Sequence, residues 1–188
     1  MLDDVRALEI VGGNPEVTSL EYDSRRVERG GCFFAVRGTA SDGHNYITSA
    51  TERGASVVVC QELPAEVDPA VAYVVVEDSE RAMAEMAAAF YDYPSRELKL
   101  VGITGTNGKT TTATLLYELV RKLGYRAGLI STVVYRIDTR EIPSTHTTPD
   151  AIRLNAMLRE MVDCGCDYCF MEVSSHSLVQ ERVRGLKF

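Results

Sequence analysis

The sequence predicts an α/β protein in which a small amino-terminal α/β unit is followed by the first part of a parallel-sheet domain. Residues 56–60 and 71–76 are continuous apolar runs of strand length, rich in β-branched residues, which is typical of strands covered on both faces. In the second half, strand and helix patterns alternate, which favours a parallel sheet with right-handed crossovers. Residues 105–111 are rich in glycine and stand between an apolar strand and an amphipathic helix.

Composition places the chain among globular proteins. With 188 residues, of which 45% are apolar, it can bury the core of one large or two small domains. The formal net charge of −7 argues against nucleic-acid binding, which needs clustered Lys and Arg. No apolar run approaches the roughly 18 to 20 residues of a membrane span, and the first residues do not resemble a signal peptide. We therefore expect a cytoplasmic protein without nucleic-acid or membrane partners. A monomer is expected as well, although composition does not determine the oligomeric state.

The cysteines do not predict a disulfide framework. They are five, an odd number, and unevenly spaced, so reduced thiols are expected. Cys164, Cys166 and Cys169 are close enough in sequence to suggest zinc. However, Cys164 falls at a predicted helix end, Cys169 falls inside a predicted strand, and the paired CxxC spacing is missing. The sequence therefore does not favour a zinc site.

The amino-terminal half is interpreted as one small α/β unit because short apolar runs alternate with turn residues. Gly54 ends a helical pattern, and Pro64 and Pro69 mark the loop between the two β-branched runs. The predicted elements are a strand at 32–36, a turn at 37–43, a helix at 44–53, and strands at 56–60 and 71–76.

A further helix leads to the domain boundary. Ser79 is the predicted N-cap, and Met83, Met86, Ala87 and Phe90 fall on one face. The residue before Pro94 disfavours helix, and a new strand–helix unit begins directly afterwards. We therefore predict two domains, 1–93 and 94–188.

The second unit begins with a strand, a loop and a helix. Residues 98–104 are apolar enough for a buried strand, and residues 126–131 form the next one. The helix between them is predicted at 110–123 and ends before Gly124. Its apolar residues at helical spacing are Leu116, Leu119, Val120 and Leu123.

The remainder of the second unit contains a hairpin, a helix and a strand. Residues 133–137 and 140–142 flank the turn pair Asp138-Thr139. Thr148 is the predicted N-cap of the helix, with Pro149 at its first position. The buried stripe of this helix is predicted to consist of Leu154, Met157, Leu158 and Met161. Residues 167–173 then form a strand with Glu172 near its carboxyl end.

The glycine-rich loop is predicted to bind phosphate, as in P-loop ATPases. It directly precedes the N-terminus of a predicted helix, where unpaired backbone amides and the helix dipole attract an anion. Lys109 is expected to reach the terminal phosphates of ATP, and the Thr110 hydroxyl to bind its Mg²⁺. The loop is a variant, since Ile103 stands where the common pattern has its first glycine. The alternative is a glycine-rich turn with an incidental lysine. The predicted nucleotide-binding residues are Gly105, Thr106, Asn107, Gly108, Lys109, Thr110 and Thr111.

Glu172 is the second candidate for this chemistry. Ligands of open parallel sheets lie beyond the carboxyl ends of the strands, so Glu172 is expected to face the same crevice as the loop. It is therefore a candidate Mg²⁺ ligand beside Thr110, and with Lys109 it is a candidate catalytic residue. The alternative is an exposed acid at a strand end.

The segment Ser174-Ser175-His176-Ser177 follows directly. A serine–histidine nucleophile pair is disfavoured because residues so close in sequence seldom reach the required geometry, and no third partner or nucleophile-elbow glycines accompany them. Polar groups that line a nucleotide or substrate cleft are the better interpretation.

Several motifs together resemble the Mur ligases. They are GITGTNGKTTT at 102–112, HTTPD at 146–150, MEVSSHSLVQER at 171–182, and an amino-terminal set of YDSR at 22–25, GCFFA at 31–35, Gly38 and Asp42-Gly43. The chain is most similar to the branch of the family that adds a diamino acid. Four separated motifs in the expected order are much more specific than the loop alone.

The resemblance implies an ATP-dependent ligase of peptidoglycan assembly, with UDP-N-acetylmuramoyl-L-alanyl-D-glutamate and meso-diaminopimelate or L-lysine as substrates. It implies that Tyr22, Ser24, Thr39, Ala40 and Ser41 lie at the uridine nucleotide. It also implies that the binding region for the muramoyl peptide and diphosphate is lined by His146, Thr147, Thr148, Ser174, Gln180 and Arg182. The resemblance covers only the front part of such an enzyme, so this chain is expected to be inactive alone.

Two other functions remain open at this point. A relative of folylpolyglutamate synthetase or cyanophycin synthetase shares the loop but needs no uridine-binding domain. A nucleotide-binding module that acts through a partner is the alternative from a different class.

Overall fold

The computed structural model describes residues 5–38 and 41–188. Over these residues it forms two five-stranded sheets. The strands are β1 (Ala7–Val11), β2 (Leu20–Glu21), β3 (Cys32–Phe34), β4 (Val57–Cys60), β5 (Ala72–Val76), β6 (Lys99–Ile103), β7 (Ala127–Ile130), β8 (Val134–Ile137), β9 (Arg140–Pro143) and β10 (Tyr168–Glu172).

Helices connect the strands in both halves of the chain. The α-helices are α1 (Ile47–Glu52), α2 (Ser79–Phe90), α3 (Lys109–Lys122), α4 (Ala151–Asp163) and α5 (Ser175–Val179). Short 3₁₀ turns lie at Ser24–Arg26, Gly43–Tyr46 and Pro94–Arg96. Of the helices in the described ranges, none has the length and apolar character that a membrane crossing requires.

The chain divides into two compact units, Met1–Met86 and Ala87–Phe188. Each unit contains one of the two sheets. The boundary at residues 93 and 94 stays a prediction.

The sheet of the first unit has the strand order β1-β5-β4-β3-β2. Strands β2 to β5 pair in parallel, whereas β1 runs antiparallel to β5 at the edge. β4 is buried throughout, as its continuous β-branched run predicts. β1 and β2 were not predicted from sequence. β2 is only two residues long, and β1 is largely exposed although four of its five residues are apolar, so neither is a buried strand of the kind that an apolar run predicts.

The sheet of the second unit has the order β6-β10-β7-β8-β9. β6, β10 and β7 are parallel, and the predicted hairpin is confirmed as the antiparallel pair β8 and β9. Alternate side chains of β10 face opposite ways: Cys169 and Met171 belong to the core under α4, and Phe170 to the core under α3. The helices therefore cover both faces of the parallel part of the sheet.

Helix α4 buries the stripe that its sequence predicts. Leu154, Leu158 and Met161 are fully buried, and Met157 nearly so. Helix α3 differs from its prediction, because Leu119 is 53% exposed and Leu123 66% exposed. Its buried face instead consists of Ala113 and Tyr117, with Leu116 and Val120 packed beside them. The small Ala113 was missed because it has little apolar surface to mark the face.

Two predicted helix caps are wrong. Asp78, and not Ser79, accepts hydrogen bonds from the amides of Glu80 and Arg81 at the start of α2. Asp150, and not Thr148, caps α4 by accepting from the amide of Arg153. In both cases a carboxylate close to the predicted residue satisfies the free amides of the first turn.

The turn of the β8–β9 hairpin is held by a cluster of charges around Asp138. Asp138 has a positive φ of 52°. Its carboxylate accepts hydrogen bonds from Arg121 and Arg126, and its carbonyl accepts one from the Tyr117 hydroxyl. Burial opposes ionisation of Asp138, but the two guanidinium groups outweigh it and hold its pKa below the ordinary value of 3.8.

We expect Asp138→Asn to lower the free energy of unfolding by about 1 kcal/mol at pH 7. The expected loss is small for two charged hydrogen bonds because Arg126 is half exposed and water screens its charge. Asparagine tolerates the positive φ, so the loss reports the charge. A carboxyl with a depressed pKa in the folded state stabilises the protein above its unfolded pKa, and this contribution is lost as the pH falls. The difference between wild type and variant should therefore shrink below about pH 4.

Urea unfolding from pH 7 to pH 3 measures this. Asp163→Asn is the matched control, because the Asp163 side chain is 65% exposed in its pair with Arg159 and should contribute less. A difference for Asp138→Asn that is independent of pH would contradict the assignment.

Candidate nucleotide-binding site

The glycine-rich loop connects β6 to α3 at the carboxyl end of the parallel strands. Gly105 has a φ of 141° and Gly108 a φ of 82°, which glycine adopts without strain. Gly108 is the N-cap of α3 and has no side chain to bond the first-turn amides. A Cβ built at Gly108 would meet no atom within 4 Å, so the space before the helix is open. The loop thus presents free amides and a helix N-terminus to that space.

A cavity of about 730 Å³ opens at this position. Most of its lining residues have hydroxyl, amide or charged side chains, as expected of a site for a phosphorylated ligand. Its lining residues are Thr104, Gly105, Thr106, Asn107, Gly108, Lys109, Thr110, Thr132, Thr147, Glu172, Ser174, Ser175 and His176.

Lys109 begins α3 and lines this cavity. Its ammonium donates a 2.7 Å hydrogen bond to the carbonyl of Gly105, four residues earlier in the same loop. The side chain therefore lies over the loop, and its contact to a neutral carbonyl can be exchanged for one to an anion.

Glu172 ends β10 and is only 1% exposed, yet it lines the same cavity. One carboxylate oxygen accepts from the Thr132 amide (2.8 Å) and the other from the Thr132 hydroxyl (3.1 Å). No Lys or Arg within residues 5–38 and 41–188 forms an ion pair with it. A buried carboxylate held only by neutral donors is costly unless a cation joins it.

These groups fit Mg²⁺. The carboxylate of Glu172 and the hydroxyl of Thr110 are hard oxygen ligands on one cavity. Within the described part of the chain, no group of three or more His, Cys, Asp or Glu side chains could enclose a metal. A cation here would thus complete its coordination with water and phosphate oxygens, as Mg²⁺ commonly does at nucleotide sites.

Thr148 joins the segments around the cavity. Its buried hydroxyl donates to the carbonyl of Glu172 (2.8 Å) and accepts from the amide of Ser174 (3.2 Å). Its own carbonyl accepts from the Arg182 guanidinium at 2.7 Å. Thr148 and Arg182, both predicted to bind substrate, therefore hold the backbone beside the site in this structure.

The structure brings together most of the residues that were predicted to bind the nucleotide and the metal, and Thr147 and Ser174 also line the cavity. Five predicted residues of the second unit do not line it: Thr111, His146, Thr148, Gln180 and Arg182. His146 is exposed, and its backbone exchanges hydrogen bonds with the buried hydroxyl of Tyr135.

Thr132 was missed by the sequence analysis. It follows β7, and its role depends on β7 lying beside β10, which no local pattern reveals. The only available signal was its position after a strand of a predicted parallel sheet, the same argument that selected Glu172.

The predicted uridine-binding residues lie in the first unit. Tyr22 is half exposed after β2, and Ser24 is buried at the start of a 3₁₀ turn. The Ser41 hydroxyl donates to the Tyr46 hydroxyl at 3.0 Å. Thr39 and Ala40 lie outside the described residues. The role of all five residues stays a prediction.

Comparison with known proteins gives the class. The model described as "Mur ligase family, catalytic domain" matches residues 16–91, and the model described as "Mur ligase middle domain" matches residues 103–188. The first match covers most of the first unit and ends five residues inside the second, and the other match lies wholly within the second unit. The chain therefore belongs to the Mur ligase family, and the α/β fold predicted from sequence is confirmed.

Individual relatives show which members of the Mur ligase family this chain resembles. The chain is 52% identical over 189 residues to a UDP-N-acetylmuramoyl-L-alanyl-D-glutamate–2,6-diaminopimelate ligase of Bacteroides fragilis, covering 100% of the chain and 39% of that protein. It is 55% identical over 174 residues to the ligase of the same name from Cytophaga hutchinsonii, covering 92% of the chain and 36% of that protein. The chain thus spans less than two fifths of the length of these relatives.

A solved structure of a ligase with this name superimposes with a TM-score of 0.73 at 26% identity, over 90% of this chain and 34% of that one. MurF from Acinetobacter baumannii superimposes with a TM-score of 0.58 at 23% identity, over 85% of this chain and 31% of that one, which shows the fold alone.

Proposed function

We propose that the protein represented by this chain is an ATP-dependent ligase that joins 2,6-diaminopimelate to UDP-N-acetylmuramoyl-L-alanyl-D-glutamate. The names of the relatives support the choice of substrates. The observation that carries the proposal is the buried carboxylate of Glu172, which faces the glycine-rich loop across one cavity and has no cationic partner among the described residues.

In this proposal the second unit binds ATP. The loop amides and the N-terminus of α3 hold the phosphates, and Lys109 exchanges the Gly105 carbonyl for a phosphate oxygen. Glu172 and Thr110 hold Mg²⁺, which neutralises charge on the phosphates. Thr147 and Ser174 lie on the same cavity, where they can orient the second substrate.

The proposed reaction brings two anions together. The free carboxylate of the muramoyl dipeptide attacks the γ-phosphorus of ATP, ADP leaves, and an acyl phosphate forms. The amine of diaminopimelate then attacks the acyl carbon, phosphate leaves, and an amide is formed. The residues of this chain contribute electrostatic stabilisation and positioning for the first step.

In this proposal the first unit binds the uridine nucleotide through Tyr22, Ser24 and residues 39–41. We further propose that the protein works in the cytoplasm, where its precursor substrate is soluble, as a monomer and without nucleic-acid or membrane partners. The negative net charge of −7 supports the last point.

Ligand-dependent unfolding of the 188-residue chain tests the proposal. ATP with Mg²⁺, at a hundredfold excess over its dissociation constant, should raise the free energy of unfolding by about 2.7 kcal/mol. The UDP-muramoyl dipeptide should raise it independently. Absence of the ATP effect would contradict nucleotide binding, whereas an ATP effect without a dipeptide effect would contradict only the substrate assignment.

A further inference from the structure

Thr132 supplies every hydrogen bond that the Glu172 carboxylate accepts among the described residues. Its amide donates to Oε1 (2.8 Å) and its hydroxyl to Oε2 (3.1 Å), so one residue holds both oxygens. We propose that Thr132 is a positioning residue that fixes the direction in which Glu172 presents its carboxylate to a divalent cation. This inference rests on the proposed function, because it concerns the same nucleotide site.

The backbone that carries Thr132 is itself fixed. Ser131 is fully buried, and its hydroxyl donates to the carbonyl of Val134 (2.8 Å) and accepts from the amide of the same residue (3.2 Å). The carbonyl of Ser131 accepts from the Ser144 hydroxyl at 3.0 Å. These bonds form a tight turn after β7 that holds the Thr132 amide in place. A fixed donor is what a carboxylate needs to keep one orientation.

The hydroxyl of Thr132 also connects Glu172 to the segment before α4. The Thr132 and Thr147 hydroxyl oxygens are 3.1 Å apart. A hydroxyl has one proton, and an ionised carboxylate can only accept, so Thr132 donates to Glu172 and accepts from Thr147. Hydrogen bonds in such a chain strengthen one another. The orientation of Glu172 is thereby tied to Thr147, which lines the same cavity.

The geometry leaves room for a cation. Each carboxylate oxygen has about two acceptor directions, and Thr132 occupies one on each oxygen. The remaining directions are available for a metal ion and its water. Without the hydroxyl, Oε2 loses its only hydrogen-bond partner among the described residues. The carboxylate is then held only by the hydrogen bond from the Thr132 amide to Oε1, and it can rotate. We therefore expect weaker cation binding with little change in contacts to the phosphates themselves.

The test compares Thr132→Val with Thr132→Ser. Valine has nearly the shape of threonine and keeps the amide, but it lacks the hydroxyl, which serine restores. The affinity of the 188-residue chain for ATP is measured by calorimetry with saturating Mg²⁺ and with EDTA. We expect Thr132→Val to reduce the gain in affinity from Mg²⁺ by about tenfold, with an unchanged affinity in EDTA, and Thr132→Ser to stay within about twofold of wild type.

Three further variants separate positioning from a loss of structure. Thr51→Val makes the same chemical change in α1, where the hydroxyl donates to the carbonyl of Thr48, and should not alter the response to Mg²⁺. In a Glu172→Gln background, Thr132→Val should have no further effect on that response, because Thr132 acts through Glu172. Thr147→Val keeps the Thr132 hydroxyl and should cost less than Thr132→Val, which provides a second measurement if Thr132→Val does not fold.

The outcomes are distinct. A wild-type chain that binds ATP with a gain from Mg²⁺, together with an equal gain in Thr132→Val, would overturn the positioning role alone. Equal losses from Thr132→Val with and without Glu172 would do the same. A wild-type chain that binds no ATP, or gains nothing from Mg²⁺, would overturn both the positioning role and the proposed function.

Discussion

Replacing Lys109 with alanine should weaken ATP binding by about 10- to 100-fold. The ammonium group is expected to form a charge-assisted hydrogen bond to a terminal phosphate, and such bonds contribute about 1.5 to 3 kcal/mol. At an ATP concentration a hundredfold above the wild-type dissociation constant, the stabilisation by ATP should fall from about 2.7 to below about 1.4 kcal/mol. Urea unfolding with and without ATP and Mg²⁺ measures this difference directly.

The ligand-free stability of Lys109→Ala should change by less than about 0.5 kcal/mol. The lysine loses only an exposed hydrogen bond to the Gly105 carbonyl, and exposed sites contribute little. Lys122→Ala is the matched control, because Lys122 is an exposed lysine in the last turn of the same helix. An unchanged ATP effect in Lys109→Ala would remove Lys109 from the phosphate site.

Glu172→Gln should raise the free energy of unfolding of the ligand-free chain by about 1 kcal/mol and remove most of the contribution of Mg²⁺ to ATP binding. The glutamate is buried without a cation, so removing its charge relieves an uncompensated cost. Glutamine keeps an oxygen that can accept from the Thr132 amide, and its amide can donate to the Thr132 hydroxyl. A residue that lowers stability while it supports binding is typical of a functional site.

Urea unfolding measures both effects: in EDTA without ATP it gives the ligand-free stability, and with ATP and Mg²⁺ it gives the contribution of Mg²⁺ to ATP binding. Glu160→Gln is the control, because Glu160 is a half-exposed glutamate in a surface pair with Arg140 and should change stability by less than about 0.5 kcal/mol. A destabilised Glu172→Gln chain that still responds to Mg²⁺ would show that the carboxylate has a structural role only.

The elements with strong periodicity were predictable from sequence. Helix α4 repeats large apolar residues at helical spacing and buries them as predicted, and β4 is a continuous β-branched run that is buried throughout. Helix α3 was placed correctly, but only half of its predicted face was, because Leu116 and Val120 pack against the core whereas Leu119 and Leu123 point outward and Ala113 marks the buried face without a large side chain. Strand β1 exposes its apolar residues Leu8 and Ile10, so the usual link between an apolar run and a buried strand does not hold for it, and its pairing to β5 was not predicted.

The helix caps show a different limit of sequence analysis. Ser79 and Thr148 are good capping residues by type, but each is close to an aspartate that accepts the first-turn hydrogen bonds instead. Thr148 is then free to bond the backbone at Glu172 and Ser174, on a strand end far along the chain. As a threonine, Thr148 could either cap α4 or bond a neighbouring backbone. The packing of α4 beside β10 decided for the second role.

The sequence alone determined the alternation of strands and helices, the position of the glycine-rich loop before α3, and the presence of an acid at the end of β10. These depend on local periodicity and on the conformational freedom of glycine, which act within a few residues. Only the tertiary structure decided that Thr132 holds Glu172 and that Thr147 reaches Thr132. Those contacts join residues 40 and 15 positions apart. The first exists because the sheet places β7 beside β10, and the second because the chain after the hairpin returns to the end of β7, where the Ser144 hydroxyl bonds the Ser131 carbonyl.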